Sequence, residues 1–300
     1  MLAAGALLLA WLLDACFGEP RSAWHPVAWF GRAVAPLTRW LPTLRRVPAF
    51  IAGAVAWLLA VGGVALLGWW LQRGIESLSP WLALPLLALA LKPSFAWRML
   101  KDEVRAVDAA LATSLEAGRH RLSYLCSRGV DTLDATQVRE TAIETLAENF
   151  NDSLVAPLFC FLVAGLPGAW AWRAANTLDA CWGYRGRFEW AGKWAARADD
   201  VLAWLPARIA ALLLWRPSIP FSVLRREALL TPSPNGGWPM AATALRLNVR
   251  LTKPGLYALN AEGRAADSAA LNRALQLAEQ AARAAFVLTV IALLATKAWP

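Results

Sequence analysis

Histidine is almost missing from this chain, with two in 300 residues, and only four cysteines occur, at positions 16, 126, 160 and 181. None of the cysteines has Cys-x-x-Cys spacing and the histidines do not cluster with them, so a zinc finger or ribbon is excluded. The thiols read as free rather than as a disulfide framework. Charge is also scarce: Asp, Glu, Lys and Arg make up 17% of residues, against ~25% in ordinary soluble domains. The Gly-x-x-x-x-Gly-Lys-Ser/Thr register of a phosphate-cradling Walker loop does not occur. Lys and Arg number 30 against 21 Asp and Glu, a formal +9, yet no basic block is interleaved with aromatics. Nucleic acid is therefore not the expected partner; basic loops flanking a bilayer account for the excess.

What remains is apolar. Hydrophobic types reach 58% and mean hydropathy is +0.41, with 18 Trp and 18 Pro. This composition excludes intrinsic disorder and a coiled coil. The expected fold class is all-α: one polytopic membrane-embedded domain over residues 1–300, a helical bundle with five or six membrane-associated segments. Residues 47–72 carry no charge for twenty-six positions and suit a full span. Residues 77–91 follow after a short turn and complete an expected transmembrane hairpin. Residues 1–13 are too few for a span and lack the basic start of a secretion signal, so a short or re-entrant helix is expected. The run 153–172 is interrupted by Pro157, Gly165, Pro167 and Gly168 and is read as a broken segment. Residues 201–216, interrupted by Pro206 and Arg208, and 284–300 complete the set.

The loop 92–152 reads as helical. Val104, Val107, Leu111 and Leu115 recur at helical spacing, Gly118 is the expected terminator, and Asp134 the expected N-cap of a helix toward Asn149. Arginines at 21, 32, 39, 45 and 46, with the basic loops 92–152 and 216–283, place those segments on the cytoplasmic side.

Glu140, Glu144, Glu148 and Asp152 recur every four residues and form one acidic ladder if the helix persists. On spacing alone, a solvated face is the ordinary reading. The ladder runs through Asn149 directly into an apolar segment, however, where carboxylates need a cation or a basic partner. Magnesium held by Glu144, Glu148 and Asp152 is one answer, since that ion takes few carboxylates and keeps its waters. A second polar group comprises Arg173, Asn176, Asp179, Tyr184, Arg185 and Arg187. Arginines there suit phosphate or carboxylate, or simply flank the membrane. Residues 231–239, Thr-Pro-Ser-Pro-Asn-Gly-Gly-Trp-Pro, specify a rigid turn: a plain loop or an anion nest. His25, in a polar elbow after Gly18-Glu19-Pro20, is an acid–base candidate or a structural hydrogen-bonding group.

Taken in order, Asp14, Gly18-Glu19-Pro20, His25-Pro26, Glu148-Asn149-Phe150-Asn151-Asp152-Ser153, Asn176-Thr177-Leu178-Asp179, Gly183-Tyr184, Asp199-Asp200, Trp204-Leu205-Pro206-Ala207-Arg208 and Ser233-Pro234-Asn235 with Gly237-Trp238-Pro239 resemble the CobD/CbiB family of cobalamin-biosynthesis membrane proteins. The resemblance implies an adenosylcobinamide-phosphate synthase in the cytoplasmic membrane, its site facing the cytoplasm. Such an enzyme is an ATP-dependent ligase joining (R)-1-aminopropan-2-ol, or its phosphate, to adenosylcobyric acid, with association with other cobalamin-pathway proteins in view. ATP and Mg2+ are then the implied cofactors and an adenosylcorrinoid the substrate. On that basis Glu148, Asp152, Asn176 and Asp179 are the expected catalytic groups. His25, Asn149, Arg173, Tyr184, Arg185, Arg208, Ser233 and Asn235 are the expected substrate or phosphate contacts. Two departures stand out: the family's Gly-Arg-Asp-Thr is Gly129-Val130-Asp131-Thr132 here, with Arg128 adjacent, and Met240 replaces an acidic residue after Gly-Trp-Pro. A membrane sensor on the same scaffold and a corrinoid transporter are the competing classes.

Overall fold

The structure, a computed structural model, describes residues 1–184 and 186–295. In chain order the helices are α1 (Leu2–Phe17), α2 (Pro26–Trp40), α3 (Arg46–Glu76), α4 (Pro80–Leu91), α5 (Trp97–Leu111), α6 (Leu115–Leu122), α7 (Ala135–Phe150), α8 (Ala156–Trp182), α9 (Lys193–Leu202), α10 (Trp204–Leu214), α11 (Phe221–Ala228) and α12 (Gly237–Leu247). A hairpin of β1 (Leu251–Lys253) and β2 (Tyr257–Leu259) precedes α13 (Ser268–Ala295). The fold is all-α apart from this antiparallel hairpin, which pairs Thr252 with Ala258.

Among the described residues, three helical stretches are long and apolar enough to cross a membrane: Arg46–Glu76, Ala135–Trp182 and Ser268–Ala295. Leu2–Phe17 and Trp204–Leu214 are shorter apolar helices. The expected hairpin partner of α3 is shorter than a span: α4 has 12 residues, about 18 Å at 1.5 Å per residue, against a hydrocarbon core of ~30 Å. The last membrane segment starts earlier than expected, because the uncharged run continues a helix begun at Ser268; residues 296–300 lie outside the described residues.

The chain forms two compact units, each assembled from separated stretches. One comprises Met1–Ala96, Ala156–Leu202 and the C-terminal stretch from Val287. Its core gathers Val34, Leu41, Ala175, Leu178, Trp182 and Ala195 from α2, α8, α9 and their connections. Trp182 is fully buried, and its indole N–H donates to Thr38 Oγ1 at 2.7 Å, so this large ring is buried without an orphaned donor. By contrast α3 leaves Val55, Leu59, Leu66 and Trp70 exposed, the face expected of a lipid-contacting helix. The apolar run of α8 is broken as expected. Gly165 takes φ 66°, a conformation costly for other residues, and the next amide, Leu166 N, donates to Gln72 Oε1 at 2.7 Å.

The second unit comprises Trp97–Val155 and Ala203–Phe286. α7 is its centre: Val138, Ala142, Ile143, Leu146 and Phe150 are buried, packed by α5, α6, α12 and β1. Phe150 meets Trp97 edge-on, ring centroids 5.8 Å apart. Asp134 caps α7 as its sequence predicts: its carboxylate accepts from Gln137 N at 2.8 Å, and Gln137 Oε1 accepts from Asp134 N at 3.0 Å. Gly118 is not a terminator. It lies within α6, which Ser114 caps, and a Cβ there would stand 2.3 Å from the Leu111 side chain, so glycine permits close approach of the preceding helix.

Candidate functional site

The acidic ladder on α7 is real, but each rung meets a different partner. Glu140, fully buried, accepts from Thr252 N at 3.1 Å and from the Thr252 hydroxyl, with Arg250 Nε 3.5 Å away. Glu144, also buried, bonds the Arg128 guanidinium. Glu148, one turn on, makes no ion pair within 4 Å among the described residues, although Lys253 and Arg128 attract it electrostatically. β1 thus supplies compensation along the ladder that the α7 sequence alone does not reveal.

The ladder ends at Glu148. Residues 151–155, Asp152 among them, form a π-helical turn, whose register is wider than that of the α-helix before it. Asn151 Nδ2 donates to Asp152 Oδ1 at 2.8 Å. Among the described residues no three His, Cys, Asp or Glu side chains form a metal-holding group. Of the expected Glu144–Glu148–Asp152 set, Glu144 is engaged by the Arg128 guanidinium and Asp152 lies in the π-turn.

A cavity of about 330 Å³ opens at the end of the ladder. Its polar lining includes Arg128, Thr145, Glu148, Asn149, Ser233, Lys253 and Tyr257. Arg128 Nη1 is buried with no hydrogen-bond partner, while Nη2 serves Glu144. Lys253 has no ion pair among the described residues. Asn149 Nδ2 donates to Thr145 O at 3.0 Å, which leaves its carbonyl oxygen as an acceptor. Burial and the adjacent Glu144 charge push the Tyr257 phenol well above its ordinary range, so Tyr257 is a neutral hydroxyl at physiological pH. A guanidinium, an ammonium and a carboxylate thus share a small cavity with neutral hydroxyl and amide groups.

The opposite wall is the 231–239 turn. Ser233 Oγ accepts from Asn235 N at 3.2 Å and Gly236 N at 3.0 Å, so these amides close a serine turn rather than an open nest. Arg208 straps the turn: its guanidinium donates to Asn235 Oδ1 at 2.6 Å and Pro234 O at 3.1 Å, between the Trp204 and Trp238 rings. Gly236 backs directly onto Glu148, where an added Cβ would stand 2.7 Å from Oε1.

The other expected residues belong to the first unit. His25 caps α2 through Nδ1, which accepts from Val27 N at 3.1 Å, while Nε2 lies 2.5 Å from Glu19 Oε2. Lys92 Nζ reaches Glu19 Oε1 at 2.5 Å and Asp14 Oδ1 at 3.0 Å, joining the four side chains in one partly buried polar cluster. Burial pushes the Glu19 carboxyl up, but hydrogen bonds from His25 and Lys92 outweigh it and hold the group below the usual range. Arg173, Asn176 and Asp179 follow one another at three-residue spacing on the last turns of α8, with Tyr184 exposed just beyond. Arg185 lies outside the described residues. Sequence reasoning missed Lys253 and Tyr257; the Lys253-Pro254-Gly255 turn between short β-prone runs was the available signal.

Comparison with known proteins agrees with this frame. The family model described as "CobD/Cbib protein" matches residues 7–288. A probable cobalamin biosynthesis protein CobD of Methanothrix thermoacetophila is 34% identical over 96% of each chain. Its counterpart in Methanothermobacter thermautotrophicus is 41% identical, covering 84% of this chain and 85% of its own. The cobalamin biosynthesis protein CobD of Klebsiella pneumoniae is 34% identical over 84% and 83%. No solved structure matches. With a family model spanning nearly the whole chain and long apolar helices in place, this multi-pass membrane protein belongs to the CobD/CbiB family of cobalamin-biosynthesis proteins.

Proposed function

We propose that the protein is an ATP-dependent ligase that joins (R)-1-aminopropan-2-ol or its phosphate to the free carboxylate of adenosylcobyric acid, giving adenosylcobinamide or its phosphate. The observation that carries this reading is the 330 Å³ cavity, whose lining includes Arg128, with one terminal nitrogen not consumed by a protein acceptor, and Lys253. Such donors suit phosphate oxygens. A carboxylate is a poor electrophile until an oxygen is phosphorylated. In the proposed sequence one carboxylate oxygen attacks the terminal phosphorus of ATP and ADP departs. The neutral amine then attacks the acyl carbon, phosphate leaves, and the amide forms.

In this scheme Arg128 and Lys253 hold phosphate oxygens and offset the charge developing on them. Glu148 receives the proton that the ammonium sheds before attack, with Asn149 and Ser233 orienting the chain of polar groups around it. A magnesium ion suits the same donors, because it takes one or two carboxylates and completes its shell with water and phosphate. Glu148 with the Asn149 carbonyl would hold it; when bound it supplies further neutralisation of phosphate charge. The site is assigned to the cytoplasmic side, where ATP is found.

Purified protein incubated with adenosylcobyric acid, Mg-ATP and each amine in turn tests the proposal by mass spectrometry. A condensed corrinoid with one amine, dependent on ATP, is expected. No condensation with either amine, from a folded sample, refutes it.

A further inference from the structure

The first unit contains a larger cavity, about 580 Å³, that the proposed reaction does not use. Its walls are apolar and include Trp29 from α2, Val64, Leu67 and Leu71 from α3, and Trp170 from α8. The volume lies within the ~300–1,000 Å³ typical of small-molecule sites. Three polar side chains interrupt the wall, one of them Thr177, whose hydroxyl donates to Arg173 O at 2.7 Å. Ser94 is 1% exposed, and its hydroxyl has no hydrogen-bond partner. Arg173 stands where the apolar run of α8 gives way to polar residues.

The surroundings identify the occupant. Leu67, Leu71 and Trp29 line the cavity yet are 59%, 38% and 48% exposed, so it is continuous with the lipid-facing surface of α3. On α2, Arg32 and Arg39 are exposed beside Trp29 and Trp40, the pairing of basic and aromatic residues that seats a helix at a membrane interface. A buried hydroxyl donor, a guanidinium at the membrane edge and an apolar chamber match the ester, phosphate and acyl chain of one molecule.

We propose that this cavity is a binding site for an anionic phospholipid, with Arg173 at its phosphate, Ser94 donating to an ester carbonyl and an acyl chain between α3, α4 and α8. Arg173, which family resemblance alone would give to substrate, acts here on lipid. The proposal goes beyond the ligase reading and is independent of it, because lipid retention is measured without turnover.

The test uses delipidated full-length protein in detergent, titrated with dioleoylphosphatidylglycerol, dioleoylphosphatidylcholine or inorganic phosphate and followed by native mass spectrometry. One phosphatidylglycerol should be retained more tightly than phosphatidylcholine, with free phosphate bound far more weakly. Arg173→Gln should weaken phosphatidylglycerol roughly fivefold, about the effect of one basic residue near an anionic lipid surface. Ala174→Phe, which intrudes on the chamber, should abolish one-to-one retention. Photo-crosslinking of the wild-type protein with an acyl-labelled phosphatidylglycerol covers the case of a variant that does not fold: labelled peptides should contain residues 26–30, 64–71 or 170–177. Equal retention of both lipids, indifference to Arg173→Gln in a folded variant, or crosslinks confined to other segments would overturn the proposal.

Discussion

The Arg128 guanidinium bonds the Glu144 carboxylate through Nη2, while its other terminal nitrogen, Nη1, remains buried without a partner at the cavity wall. One side chain therefore neutralises Glu144 and also lines the cavity. Removing it exposes both roles. Arg128→Ala leaves Glu144 buried and uncompensated, a loss of roughly 3–5 kcal/mol, and Arg128→Met with Glu144→Leu should restore most of that stability but not activity. Detergent-phase denaturation and turnover, measured on both variants, separate the two.

Glu148 and Lys253 should behave oppositely to Arg128, because neither holds an ion pair among the described residues. Glu148→Gln should keep a near-native melting temperature while turnover falls roughly 100-fold or more, the scale of losing one charge-positioning group at a reacting centre. Lys253→Met should raise the KM for nucleotide about tenfold or more, from ~1.5–3 kcal/mol for a hydrogen bond to a charged group.

Gly236→Ala tests the wall itself. The new Cβ would stand 2.7 Å from Glu148 Oε1 and must displace that carboxylate. Misplacement by about 1 Å can reduce rate ~100-fold. The expected result is a folded variant with turnover near that of Glu148→Gln; wild-type turnover would remove Glu148 from the mechanism.

Acid should unfold the first unit through the Asp14–Glu19–His25–Lys92 cluster. Glu19 is held below the ordinary carboxylate range, so its stabilisation is fully present above that range and is lost as pH falls through the lower, folded-state value. Melting temperature should fall on acidification through and below the usual carboxylate range. The fall should be shallower for Glu19→Gln, which starts from a lower stability at neutral pH.

Legibility in the sequence followed how local each cause was. The Asp134–Gln137 cap, the break at Gly165 and the uncharged length of α3 are short-range features, and all are present. Glu140, Glu144 and Glu148 share a face because helix geometry requires it. Their partners come from residues distant in sequence, so the four-residue spacing shows a need for positive charge without showing that Arg128, Arg250 and Lys253 supply it. Asp152 lies in a π-turn that no glycine or proline announces in the sequence. Gly118 misled for a similar reason: its lack of a side chain serves packing against Leu111, not helix termination.

The most direct measurement follows an oxygen atom. Adenosylcobyric acid carrying 18O in the reacting carboxylate is incubated with the protein, Mg-ATP and the preferred amine, and the released phosphate is analysed by mass spectrometry. Activation by phosphoryl transfer predicts one 18O per phosphate, in step with amide formed and absent in Glu148→Gln samples that make no product. Amide formed with unlabelled phosphate would contradict the account.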